Sequence, residues 1–155
     1  MLKTVRRLAL AILAAALALS AANPTLGTWK LNKAKSKYSP GPAPKSSTLV
    51  YSQYGDWIVQ KSEGVNAEGK PTTLSNRYKV DGKEYPFTGP AGSSGTIAVK
   101  KIDDYLSEWV IKGEDKSLVN GRTVISKDGK TRTQTMTGVN AKGETVKNVV
   151  VYDRQ

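Results

Sequence analysis

The side chains that most often carry reactions are the ones this sequence lacks. Its 155 residues include no histidine and no cysteine. A serine nucleophile therefore has no imidazole to take its proton, thiolate chemistry is excluded, and the usual nitrogen and sulfur ligands of zinc are missing. Haem ligation through histidine or cysteine falls on the same ground. Carboxylates remain at Asp103-Asp104, Glu114-Asp115 and Asp128. Each falls where the chain is expected to turn, and an aspartate in a turn ordinarily caps its own backbone. No motif supports a Ser-Lys site. The sequence reads as a protein that is not an enzyme and that uses no cofactor and no metal.

Binding is the chemistry left to the remaining residues. Aromatic and aliphatic side chains alternate with polar ones in the sets Trp57/Val59, Leu74/Asn76/Tyr78/Val80, Ile97/Val99, Tyr105/Ser107/Trp109/Ile111 and Val146/Asn148/Val150/Tyr152. A period of two is that of a strand showing one face to a core. Aromatics mixed with Asn and Ser suit an amphipathic ligand held by a few polar groups; the alternative is that the aromatics fill the interior and leave no cavity. Thr131, Thr133, Thr135 and Thr137 occupy every second position of one run, the pattern of a solvent-facing strand surface. That would turn Arg132, Gln134 and Met136 inward and make Arg132 a charge facing the ligand. The candidate ligand contacts are Trp57, Tyr78, Tyr105, Trp109, Arg132 and Tyr152. A second feature is basic: Lys30, Lys33, Lys35, Lys37 and Lys45 fall within sixteen residues that hold no acid. Such a run is either a solvated face or a contact for an anionic envelope polymer or lipid headgroup.

The elements that must position these residues are strands. They are expected near Gly27–Asn32, Ser47–Gln53, Trp57–Ser62, Thr72–Val80, Lys83–Phe87, Thr96–Ile102, Tyr105–Lys112, Lys116–Ser126, Thr131–Thr137 and Thr145–Tyr152. Asp81-Gly82, Lys112-Gly113-Glu114-Asp115 and Lys127-Asp128-Gly129-Lys130 carry the turn chemistry between them. Asn120-Gly121 is read as a bulge inside one long strand. Gly64-Val65-Asn66-Ala67-Glu68-Gly69 recurs as Gly138-Val139-Asn140-Ala141-Lys142-Gly143, either one turn solution used twice or the trace of a duplicated half. Eight to ten short antiparallel strands fit an up-and-down barrel or a sandwich.

Residues 1–22 read differently. Lys3, Arg6 and Arg7 precede an apolar run from Leu8 to Leu19 and a small-residue exit at Ser20-Ala21-Ala22, the three parts of a secretory signal peptide. The run is short for a membrane span. Cleavage after Ala22 would leave residues 23–155 as one domain and remove three of the charges that make up the formal +11, leaving +8. An exported protein, periplasmic or extracellular, meets little nucleic acid. Without cysteine it has neither a lipid anchor at the cleavage point nor disulfide staples. It is expected to be a monomer.

The opening Gly27-Thr28-Trp29-Lys30-Leu31 resembles the Gly-x-Trp start of the calycins, the lipocalin and fatty-acid-binding superfamily, and Val149-Val150-Val151-Tyr152-Asp153-Arg154 resembles their closing strand. The resemblance implies an all-β, antiparallel lipocalin-like barrel. It also implies that Trp29 closes one end with Arg154 lying across it, a pairing in which an indole face attracts a guanidinium. Gly27 to Ser46, the Asn66-Ala67-Glu68-Gly69-Lys70 hairpin and the final Tyr152-Asp153-Arg154-Gln155 further resemble a family of small uncharacterised exported bacterial proteins. Two departures stand out. Where fatty-acid-binding proteins carry a helical lid, Lys33–Lys45 holds Pro40, Pro42 and Pro44, which favour an extended loop. Where they carry Arg-x-Tyr on the last strand, this chain has Val150 and Tyr152, so a carboxylate would need another partner. The expected function is an exported lipocalin-like binding protein for a small hydrophobic or amphipathic molecule. The alternative is an envelope surface-binding or inhibitor module acting through its basic outer surface.

Overall fold

Alternating apolar and polar runs, broken by Gly, Asn and Asp, fold as ten strands in the computed structural model, which describes residues 23–89 and 92–155. The leader read at residues 1–22 lies outside the described residues. The strands are β1 (Gly27–Leu31), β2 (Ser46–Tyr54), β3 (Trp57–Val65), β4 (Pro71–Tyr78), β5 (Asp81–Thr88), β6 (Ser94–Lys101), β7 (Leu106–Gly113), β8 (Leu118–Ile125), β9 (Thr131–Val139) and β10 (Thr145–Arg154). Their order in the sheet is β4-β3-β2-β1-β10-β9-β8-β7-β6-β5. Chain neighbours are therefore sheet neighbours except β4 and β5, which form the two edges, and β1 turns back to pair with β10, Trp29 opposite Arg154 and Leu31 opposite Tyr152. That pairing rolls the meander into a nearly closed barrel, the all-β architecture expected from the sequence.

The boundary without a backbone ladder lies between β4 and β5. There the Asn76 carboxamide stands in for one: its Nδ2 donates to the Thr88 carbonyl at 3.0 Å, and the Thr88 N–H donates to its Oδ1 at 2.9 Å. Asn76 is buried, so these bonds are made away from competing water.

Local chemistry explains where the elements start and stop. β1 is short because the chain leaves it through a 3-10 turn at Lys33–Lys35, capped by the Asn32 side chain. It then resumes pairing with β10: Lys37 and Val149 exchange backbone bonds, and the Lys147 N–H donates to Ser39. The proline segment after it makes no helix, as its composition predicts. The two copies of the repeated hexapeptide form the same hairpin. Asn66 and Asn140 each accept side-chain bonds from the turn they open, and Gly69 and Gly143 each donate back to that asparagine's carbonyl.

Two expectations are corrected. Asp81-Gly82 is not a tight hairpin tip, since β5 begins at Asp81 and Gly82 sits in a register shift between Asp81 and Glu84. β4 and β5 diverge there instead of pairing. Asn120-Gly121 lies within one strand, as expected, but without a bulge: the register is regular on both sides. Gly121 is needed for another reason. It lies directly opposite Trp109, whose indole covers it so closely that a Cβ would run into the ring.

Candidate ligand-binding cavity

Because side chains alternate along a strand, the barrel wall decides which half of each strand sees the interior. The inward halves leave a cavity of about 1090 Å³. Leu74, Ile97, Ile111, Val119, Met136 and Val150 supply its apolar wall; Gln60, Ser62, Gln134 and Asn148 supply polar points. The loops 38–44 and 66–68 contribute from one end. The interior is therefore open, and the aromatics do not fill it.

Of the candidate contacts, Tyr78, Tyr105, Trp109, Arg132 and Tyr152 line this space. Trp57 does not. On β3 it is Ile58, Gln60 and Ser62 that face inward, so Trp57 and Val59 point away. Trp57 packs instead under the Arg77 guanidinium, 4.1 Å from the ring centroid, with the Lys79 ammonium at 5.1 Å and Tyr85 edge-on at 5.4 Å. The apolar-inward rule misassigned this strand because a cavity-lining face tolerates Gln and Ser, while an outward tryptophan is satisfied by cations. Trp109 lies flat over Gly121, and its Nε1 donates to the buried Thr123 hydroxyl at 3.1 Å.

Arg132 is the second residue of β9, opposite Tyr152 on one side and Ile125 on the other. The threonines of β9 face outward and leave its side chain inside, 4 % exposed. Its Nη2 donates to the Tyr51 hydroxyl at 3.0 Å, and its guanidinium lies 4.3 Å from the centre of the Tyr51 ring. Nε and Nη1 are buried without a hydrogen-bond partner among the described residues. Burial pushes the Tyr51, Tyr78 and Tyr152 hydroxyls up from the usual phenol range, and the Arg132 charge only partly opposes this. All three are neutral at neutral pH. Sequence reasoning missed Tyr51, although Leu49 and Tyr51 alternate on β2 as the more apolar half of that strand.

At one end of the barrel Trp29 is completely buried. The Arg154 guanidinium stacks on it at 4.2 Å and donates to the carbonyls of Leu26 at 2.7 Å, Pro24 at 2.6 Å and Gly129 at 2.5 Å. The Trp29 Nε1 donates to the Thr25 carbonyl at 2.9 Å. One guanidinium thus ties the first residues described, the β8–β9 turn and the last strand around a single indole. Elsewhere, Asp103, Asp115 and Asp128 accept backbone N–H bonds inside their own turns, and Lys30, Lys33, Lys35, Lys37 and Lys45 are all exposed.

No protein-family model matches the chain, and no curated protein matches it by sequence. Solved structures match in shape. A fatty acid binding protein of Schistosoma mansoni in complex with arachidonic acid is 16 % identical with a TM-score of 0.60, over 85 % of this chain and 96 % of that one. The ileal bile acid-binding protein of zebrafish, complexed with cholic acid, is 17 % identical with a TM-score of 0.59, over 85 % and 99 %. As-p18, an extracellular fatty acid binding protein, is 14 % identical with a TM-score of 0.55, over 86 % and 97 %. At these identities the likeness is one of fold: the chain is a calycin-type antiparallel β-barrel.

Proposed function

We propose that this protein is an exported carrier that holds one small hydrophobic or amphipathic molecule inside its barrel. The observation that carries this reading is the cavity of about 1090 Å³, whose surface is mainly apolar, from side chains such as Leu74, Ile97, Ile111 and Val150, with polar side chains interspersed among them. That combination is what a small-molecule site needs: apolar surface for affinity and sparse polar atoms for orientation. The structural neighbours that bind a fatty acid and a bile acid support the same reading. The basic, apolar and small-residue order of residues 1–22 supports export.

The test is titration of the purified protein with a neutral solvatochromic dye such as Nile red, on wild type and on Val150→Trp. The variant places an indole in the cavity wall. Saturable one-to-one uptake that the variant abolishes is the expected result. No saturable uptake by the folded wild type contradicts the carrier reading. For export, protein recovered from cells should begin near Asn23 and fractionate outside the cytoplasm; recovery of the full 155-residue chain from the cytoplasm contradicts it.

A further inference from the structure

We infer that the ligand is a singly charged amphipathic anion whose oxyanion headgroup docks on Arg132. This rests on the carrier reading and adds the chemical class of the ligand and its orientation.

An arginine keeps its charge at any physiological pH, so its burial must be compensated. Among the described residues no acid does so. The ion pairs among the described residues join Lys79 to Asp56, Lys101 to Asp104 and Lys112 to Glu84. None of them reaches Arg132. The acids that touch the cavity wall, Glu68, Asp103, Asp104 and Asp115, belong to turns; Asp104 is already paired with Lys101, and Asp103 and Asp115 cap their own backbones. Among the described residues the guanidinium has the Tyr51 hydroxyl and ring as its partners, with Nε and Nη1 uncommitted. A buried charge left with open donors is among the costliest groups a fold can carry. A bound oxyanion would supply both the countercharge and the missing acceptors.

The surroundings define that anion further. Tyr51, Tyr78 and Tyr152 stay protonated and bring no negative charge of their own. The Tyr51 oxygen already accepts from Arg132, which leaves its proton free to donate onward. One cation among neutral hydroxyls balances one negative charge; a dianion would leave the second uncompensated. The socket is also not on the last strand, where Val150 replaces an arginine. It is assembled from β9 and β2 across the interior. Arg132 lies toward the end where Arg154 covers Trp29 and binds the β8–β9 turn. The headgroup therefore sits deep, and the apolar body runs past Val150 and Met136 toward the 38–44 loop.

The experiment compares dodecanoate, dodecyl sulfate and dodecanol, all below micellar concentration, as competitors of Nile red on wild type, Arg132→Met and Tyr51→Phe. On wild type the two anions should displace dye at least about tenfold more effectively than the alcohol, as a charge-assisted contact predicts. Arg132→Met should lose that preference while keeping dodecanol within about threefold, and Tyr51→Phe should lose part of it. Tighter binding of one anion than the other separates carboxylate from sulfate headgroups, and either result supports the inference. Raising salt should barely change the preference, because a buried contact is poorly screened. Thermal melting guards against misfolding: dodecanoate should raise the Tm of wild type clearly more than dodecanol does, and that of Arg132→Met by no more than dodecanol does. Dye uptake with no preference for anions, or equal loss of all three ligands in a folded Arg132→Met, overturns the headgroup assignment alone. Failure of wild type to take up dye overturns the carrier reading, and this inference with it.

Discussion

Removing a positive charge from the middle of a protein usually breaks something; here it should help the empty molecule. Arg132 has two buried nitrogens with no acceptor among the described residues, so Arg132→Met should raise the unfolding free energy of the ligand-free protein by about 1–3 kcal/mol in urea titrations. A loss of stability would mean that its bond and ring contact with Tyr51 outweigh the desolvation cost. Gly121→Ala should act in the opposite sense. Its Cβ would strike Trp109, costing about 1–3 kcal/mol by overpacking and displacing the indole into the cavity, which an altered tryptophan emission spectrum would report. At this scale the sequence is legible where one pattern dominates. The threonine stripe of β9 is enough by itself to imply an inward Arg132. Alternation fails at Trp57, where both halves of β3 mix apolar and polar residues and only the register against β2 and β4 decides. Nor could alternation reveal the partner of Arg132, because Tyr51 lies 81 residues away and meets it only across the closed barrel.

At the scale of elements, the weak place is the β4–β5 boundary. It is bridged by one carboxamide that satisfies both backbone groups of Thr88. Asn76→Leu should leave that N–H and C=O without partners and cost about 2–3 kcal/mol. Hydrogen exchange at the Thr88 amide should accelerate by far more than exchange in β9, which is paired along both edges. Uniform acceleration would instead point to global destabilisation. All ten strands are readable from period-two runs and their turn residues. The divergence of β4 from β5 is not, because Asp81-Gly82 looks locally like any hairpin tip. The side chain that bridges the parted strands, Asn76, carries no local signal either.

The whole molecule has no cysteine and is held by closure of the sheet and by its tyrosine-lined interior. Burial raises Tyr51, Tyr78 and Tyr152 above the ordinary phenol value of 10.0. Above pH 10 the unfolded chain gives up protons that the folded chain retains, so the folded state binds more and stability falls as pH rises. The slope should be about 1.4 kcal/mol per pH unit for each such tyrosine, and Tyr78→Phe should remove one tyrosine's share in unfolding curves taken between about pH 9 and 11. Ligand affinity should follow the apolar interior in turn, rising about fourfold for each methylene added to a saturated carboxylate until the cavity is filled; calorimetry over an even-chain series checks this. The central claim, that the barrel is a container, meets its most direct test in native mass spectrometry of the protein isolated gently from its own host. The account predicts a one-to-one adduct that is released on denaturation and is detected as an anion in negative-ion mode. A clean ligand-free mass, from protein that also takes up no dodecanoate when it is added, would contradict it.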